Sequence, residues 1–380
     1  MKKVLYLSNV HWNWIKQRPH FVAEGLCKNY NVDLFFTGTS KDVLIKLGIK
    51  KLKSNYENLN IKTYIPIPFV RIPYIGKSSF FDKINNLFLS FTLPSFKDYD
   101  IIWVCSPMYN DVVQEKRMDN NIVVYDCMDD FGSFPTIMND RKKLSFFLSS
   151  ENDLINSADF VFCSSDYLSD VIRKRSRTNK SIHVVNNAIA VPDKSDKDIN
   201  RLPAHLKDKY DKIDDLSDIL MYVGTVADWF DYEVMVKILD TYPTFNLILI
   251  GPNESSIQFL HPRVHCLGPI PRDYIFSFMD KARALVMPFI VNELIKSVNP
   301  VKLYEYIYTG KPIFAPLYGE SKKFSKFVNL YKDADHLISM VGDMVNGTLP
   351  NYTLIDAENF VESNTWDDRM VEFFNKIDIL

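Results

Sequence analysis

The sequence predicts an α/β protein of two doubly wound lobes, each a parallel sheet with helices on both faces. Three observations carry this. The chain has 380 residues, more than one small domain and enough for two units of about 150–200 residues. Short runs rich in Val, Ile, Leu and Phe alternate with helical patterns, as strands buried on both faces of a parallel sheet do. The alternation then breaks over residues 192–217 and restarts. These observations set a Rossmann-like N-terminal lobe at 1–195, a second Rossmann-like lobe at 216–360 and a closing helix at 361–380 that returns to the first lobe, with a crevice between the lobes.

The elements follow in order. Val4–Ser8 is a short apolar strand, followed by a polar, aromatic loop from Asn9 to Gln17. Arg18-Pro19 opens a helical pattern through Phe21, Val22 and Leu26, and Val32–Phe36 returns as a strand, which makes a βαβ unit. Further buried runs stand at Ile61–Ile67, Asp100–Cys105, Ile122–Tyr125, Phe160–Cys163 and His183–Val185. The charged stretch Pro192–Asp198 and the pair Asp214-Asp215 read as an interdomain linker. In the second lobe, Ile219–Gly224, Phe245–Gly251, Val264–Gly268, Ala284–Phe289 and Pro312–Pro316 are strands, and Trp229–Leu239 is a helix. Trp366, Met370, Val371, Phe373, Phe374 and Ile377 lie at helical spacing and form the closing helix.

Composition narrows the class. With 47% hydrophobic and 24% charged residues the chain is neither disordered nor fibrous. Its five cysteines are widely spaced without a C-x-x-C pair, a pattern of reduced thiols expected in the cytoplasm. No run of eighteen apolar residues occurs and the N-terminus enters a strand directly, so neither a membrane span nor a signal peptide is expected. The net charge of −2 divides unevenly: residues 1–190 carry 25 Lys+Arg against 19 Asp+Glu, and the remainder 20 against 28.

Ligands of doubly wound sheets bind beyond the carboxyl ends of strands. Neither G-x-G-x-x-G nor a P-loop occurs, which argues against a dehydrogenase or a nucleotide hydrolase. The informative stretch is 287–316. Asn299 is a suitable N-cap, Pro300 fits the first helical position and Gly310 ends the helix. The first turn then offers backbone N–H groups and the positive end of the helix dipole, and Lys302 adds a full charge, which makes a site for a diphosphate without metal. Glu305 shares a face with Lys302 and suits two ribose hydroxyls, each such charge-assisted bond being worth about 1.5–3 kcal/mol. A surface Lys-Glu pair on a capped helix has the same spacing.

Pro288-Phe289, Asn299-Pro300-Val301-Lys302-Leu303-Tyr304-Glu305-Tyr306 and Gly310-Lys311-Pro312 together resemble the donor-site signature of GT-B-fold glycosyltransferases. The resemblance is to the bacterial polysaccharide-assembly branch of teichuronic-acid type, within the superfamily related to the Glu-x7-Glu enzymes. It extends over nearly the whole chain. Trp12-Asn13-Trp14 with Gln17-Arg18-Pro19-His20, the loop Tyr125-Asp126-Cys127-Met128-Asp129-Asp130-Phe131, the turn Asn186-Asn187-Ala188 and the loop Gly224-Thr225-Val226-Ala227-Asp228-Trp229-Phe230-Asp231 resemble that branch's motifs in the correct order. The resemblance implies transfer of a sugar from a nucleoside diphosphate, UDP by family frequency, with the nucleotide held by the second lobe. Two departures stand out. Ser297 occupies the position of the first Glu of Glu-x7-Glu, with Glu293 the nearest carboxylate. Basic residues are also missing after the first strand of the second lobe, where Thr225, Val226 and Asp228 stand.

The donor set is therefore Gly224, Thr225, Ser297, Asn299, Pro300, Val301, Lys302 and Glu305, with Arg18 reaching the diphosphate from the N lobe or forming a salt bridge at its helix start. Asp129 is the expected base or acceptor-positioning group, with Asp126 and then Asp130 beside it, because neighbouring carboxylates raise one pKa. An acidic, helix-capping turn would use the same residues. His11, Trp12 and Trp14 fall on the acceptor side. No metal or other cofactor is expected; the pair His261 and His265 is interrupted by Pro262.

Lys41, Lys46, Lys50, Lys51 and Lys53 interleave with apolar residues, and a basic, aromatic region spans Phe69–Phe81. Both suit an anionic membrane surface, at about 1 kcal/mol per Lys, or a solvated amphipathic helix. Nucleic acid is disfavoured by the pI near 6.4. The expected enzyme extends a lipid-linked or cell-surface glycan in the cytoplasm or on the inner face of the membrane. The alternatives are a non-catalytic sugar-nucleotide or glycan-binding subunit and, third, a sugar-nucleotide epimerase.

Overall fold

The computed structural model describes residues 1–38, 42, 52, 54, 56–64, 89–178, 180–193 and 199–377. The basic segments at 41–53 lie almost wholly outside the described residues, as do residues 69–81. The chain forms two compact units, residues 1–186 with 369–380, and residues 187–368. The division thus falls after Asn186, earlier than the boundary read near 195.

The first unit is a seven-stranded sheet in the order β3-β2-β1-β4-β5-β6-β7. Its strands are β1 (Lys3–Ser8), β2 (Asn31–Thr37), β3 (Leu59–Tyr64), β4 (Ile101–Val104), β5 (Ile122–Cys127), β6 (Phe160–Cys163) and β7 (Ile182–Val184). Every neighbouring pair is parallel. All four residues of β4, Ile101-Ile102-Trp103-Val104, are buried, as a central strand covered on both faces requires. The helices are α1 (Arg18–Leu26), α2 (Asn110–Lys116), α3 (Pro135–Met138), α4 (Arg141–Ser157) and α5 (Asp166–Arg175). Side-chain oxygens of Asp140 and Ser165 accept from first-turn N–H groups of α4 and α5 and so fix where each begins.

The second unit repeats the path with six parallel strands, β10-β9-β8-β11-β12-β13. They are β8 (Ile219–Val223), β9 (Asn246–Ile250), β10 (Val264–Gly268), β11 (Ala284–Val286), β12 (Ile313–Pro316) and β13 (Asn329–Tyr331). Its helices are α6 (Ala204–Asp214), α7 (Tyr232–Thr241), α8 (Arg272–Met279), α9 (Glu293–Ser297), α10 (Val301–Tyr308), α11 (Ala334–Asn346) and α12 (Leu354–Glu362), and α13 (Trp366–Ile377) runs back into the first unit.

The linker reading of 192–217 is corrected by α6. Leu206, Tyr210 and Ile213 recur at spacings of four and three and are buried in the core with Ile219 and Met279. The surrounding Lys and Asp residues dilute the composition without disturbing that stripe. The described part of α13 in the first unit packs by its aromatics: the ring of Phe373 stands edge-on to Trp103 at 5.2 Å and to Phe162 at 4.8 Å. Gly25 leaves the room that Met370 fills, since a Cβ there would come within 2.5 Å of Met370 Cγ.

Candidate functional site

In the second unit the strand order reverses between β8 and β11, and the loops at their carboxyl ends meet. Phe230 and Phe289 form an antiparallel bridge, Asp231 N–H donates to Pro288 O at 2.8 Å and Ile290 N–H to Trp229 O at 2.8 Å. Gly224, half-buried at the end of β8, faces Gly251 at the end of β9. Gly251 has φ +141°, and a Cβ on it would lie 2.0 Å from Gly224 O, so only glycine allows this approach. Tyr306 of α10, fully buried, accepts from Val223 N–H at 2.8 Å, and its hydroxyl lies 3.4 Å from both Val223 O and Val286 O. One phenol thereby ties α10 to the ends of the two strands at the reversal point, where open α/β sheets bind ligands.

At the head of α10, Glu305 is buried between two cations. Lys302 Nζ is 2.9 Å from Oε2 and Arg272 Nε is 3.4 Å from Oε1. Burial opposes ionisation, but Lys302 and Arg272 together hold the carboxyl below its usual range. Lys302 and Arg272 each keep about a quarter of their side-chain surface in solvent, at 25% and 24%, and Val301, Gly224 and Thr225 are also half-buried. These groups remain partly open to solvent. Arg272 had no local sequence signal: it begins α8, thirty-three positions before Glu305, and its Nη2 donates to Ala190 O at 2.5 Å. It supplies a cation beside Glu305, which the loop of Thr225, Val226 and Asp228 lacks.

Three expected donor residues are placed differently. The helix starts one residue later than its sequence suggested, with Pro300 at the N-cap, buried, and Asn299 outside it. Asn299 accepts from Asn187 N–H at 2.9 Å and Tyr304 OH at 3.2 Å and donates to Glu320 Oε2 at 3.1 Å, so its amide serves an internal network and does not cap. Ser297 is fully buried and its hydroxyl donates to Leu294 O at 2.7 Å, the last turn of α9 having folded the position inward. Glu293 is instead exposed and paired with Lys296.

In the first unit the turn after β5 gathers the aspartates, but they are not equivalent. Arg18 and Asp126 are both buried; Arg18 Nη2 donates to Asp126 Oδ1 at 2.8 Å, Nε to the same oxygen at 3.0 Å and Nη1 to Val185 O at 2.8 Å. That pairing corrects the reading of Arg18 as a diphosphate ligand and of Asp126 as a second base: each is committed to the other, and parting them would strand a charge in the core. Asp130 is buried beside Arg175, with Oδ1 2.8 Å from Nη2. Asp129 alone is half-buried, and among the described residues its carboxylate has no hydrogen-bond or ion-pair partner. Burial pushes it up to about 6, Arg18 opposing and Asp130 adding to the rise.

The loop after β1 is internally bonded. His11 Nδ1 accepts from Asn13 N–H at 3.1 Å, which leaves the proton on Nε2, 3.1 Å from Asp42 Oδ2. Trp12 lies against His20, ring centres 4.9 Å apart, while Trp14 is 47% exposed. Trp12 is thus half-buried against that ring and Trp14 is an open ring. Among the described residues no cluster of three or more His, Cys, Asp or Glu could hold a metal ion, and no helix is long and apolar enough to cross a membrane.

No family model matches the chain. A Bacillus subtilis (strain 168) protein, TuaH, which is named as a teichuronic acid biosynthesis glycosyltransferase, is 23% identical over 232 residues, 58% of this chain and 56% of TuaH. The chain thus spans about half the length of the curated relative it matches. Among solved structures, sucrose-phosphate synthase from Thermosynechococcus elongatus is similar with a TM-score of 0.71 at 15% identity, over 100% of this chain and 98% of that one. Anabaena HepE in complex with UDP and glucose is similar with a TM-score of 0.66 at 13% identity, over 100% of both chains. With two parallel sheets in this strand order and likeness along its whole length to these structures, the chain has the GT-B glycosyltransferase fold.

Proposed function

We propose that the protein is a glycosyltransferase that moves a sugar from a nucleoside diphosphate sugar, UDP being the expected carrier, to a lipid-linked or growing cell-surface glycan. The observation that carries this is the buried Glu305 gripped by Lys302 and Arg272 on a helix anchored to the carboxyl ends of β8 and β11. In this reading Glu305 accepts from the ribose hydroxyls. Lys302, Arg272 and the N–H groups opening α10 face the diphosphate, whose charge they stabilise as the bond from the anomeric carbon to the phosphate oxygen breaks. Asp129 takes the proton of the attacking acceptor hydroxyl; a carboxyl at about 6 is ionised near neutral pH and still basic enough for that transfer. A single displacement of this kind inverts the anomeric configuration. Trp14 is the acceptor-side ring, and the basic segments outside the described residues are the proposed contact with an anionic membrane.

The buried Ser297, where a carboxylate would contact the donor sugar, favours the second reading, a sugar-nucleotide-binding subunit without turnover. Nucleotide release from UDP-, GDP- and TDP-sugars with lipid-linked acceptors separates the two. Acceptor-dependent UDP release supports the enzyme; tight UDP binding with no release from any donor supports the subunit. Turnover without an acceptor that yields an altered sugar nucleotide would mean an epimerase. A retained anomer, or full activity in Asp129→Asn, would remove the base assignment.

A further inference from the structure

Asp130 belongs to an ion-pair network that continues past the turn. Arg175, the last residue of α5, lies with Nη2 2.8 Å from Asp130 Oδ1 and donates from Nη1 to Glu151 Oε2 at 2.8 Å. Glu151, on α4, is fully buried, and its other oxygen accepts from Tyr125 OH of β5 at 3.0 Å. Asp130 Oδ2 accepts from Ser133 Oγ at 2.6 Å. A single guanidinium thus joins the turn after β5 to α4 and α5, and Tyr125 ties the same carboxylate back to the strand. Arg175 is suited to this because its planar fork can face two carboxylates at once.

We propose that Arg175 is a positioning residue: by neutralising Asp130 and bracing it against Glu151, it fixes the turn that carries Asp129 and sets the charge Asp129 faces. The consequence for turnover rests on Asp129 being the base; the coupling itself does not. The charged groups that act on Asp129 are Arg18 from α1, which favours its ionised form, and Asp130 from its own turn, which disfavours it. Arg175 from α5 and Glu151 from α4 reach it through Asp130. Removing the negative charge of Asp130 therefore eases Asp129 ionisation, and removing Arg175 leaves Asp130 uncompensated and makes it harder. Each change is expected to move the Asp129 midpoint by ~0.5–1 unit.

The test is a carbon-13 NMR titration of the full chain labelled at aspartate side-chain carboxyls, with the Asp129 resonance assigned as the one lost in Asp129→Asn. The account expects a midpoint near 6 in the unaltered protein, a lower one in Asp130→Asn, a higher one in Arg175→Met and an intermediate one in Arg175→Lys. Arg175→Met strands two carboxylates and can fail to fold, whereas Arg175→Lys keeps a cation between them and Asp130→Asn keeps the Arg175–Glu151 pair, so these two together decide the matter. An unchanged Asp129 midpoint in folded Asp130→Asn overturns the proposal. A midpoint that moves as expected, with turnover indifferent to Asp129→Asn, keeps the positioning role and removes the base.

Discussion

Asp126, Asp129 and Asp130 stand within five residues of one another, and what separates them is whether an arginine reaches each. Arg18 and Arg175 take the outer two, and the half-buried Asp129 is left with a carboxyl pushed up to about 6. The sign of its effect on stability follows. Between the ordinary aspartate range and about 6 the folded protein holds a proton that the unfolded chain has released, so stability falls as pH rises through that window. Asp129→Asn should therefore melt higher than the parent near pH 7.5, by about 1–2 kcal/mol after allowance for partial exposure, with the difference gone below about pH 4; thermal melts across that range check it. Lys302→Ala should weaken UDP binding by ~10- to 100-fold, the worth of a charge-assisted bond, as read by calorimetry. Asp129, Lys302 and Glu305 were legible because each sits in a short run with its own neighbours. Arg272 and the Arg175–Glu151 pair were not, because their partners are distant in the chain and become adjacent only through the fold. Arg18 was legible as a motif residue, but its partner Asp126 lies 108 positions away.

The helix that holds Glu305 depends on one phenol for its seat. Tyr306→Phe keeps the ring and leaves Val223 N–H without its acceptor in a buried place, which should destabilise the second unit by about 1–3 kcal/mol; denaturant unfolding measures it, with UDP affinity falling alongside as α10 loosens. The inner strands of both sheets were readable from continuous apolar runs, since burial on both faces leaves no room for alternation. Among the elements that escaped, α6 and β13 show why, and the start of α10 was shifted. The stripe of α6 is three residues deep in a charged background, and β13 is a three-residue edge strand, too short to rise above loop composition. The cap of α10 was misplaced by one residue because Asn299 has both the chemistry of an N-cap and a stronger set of internal partners.

At the scale of the whole molecule, two units share one strand order, the first with one strand more. The chain leaves the first unit after Asn186 and returns to it at Arg369. Because Phe373 fills a space bounded by Trp103 and Phe162, Phe373→Ala should destabilise the first unit by about 3–5 kcal/mol, seen as an earlier unfolding step with the second unit's transition unmoved. The uneven charge, 25 Lys+Arg against 19 Asp+Glu in residues 1–190 and 20 against 28 beyond, places the Lys302–Arg272 pair as a local positive site within an acidic unit, which suits selection of an anionic ligand at that point. The central claim is that this site holds a nucleoside diphosphate through Glu305, and calorimetric titration of UDP into the unaltered chain and into folded Glu305→Ala tests it most directly. The account predicts clear binding in the first and a loss of at least ~100-fold in the second; equal affinity in the two would contradict it.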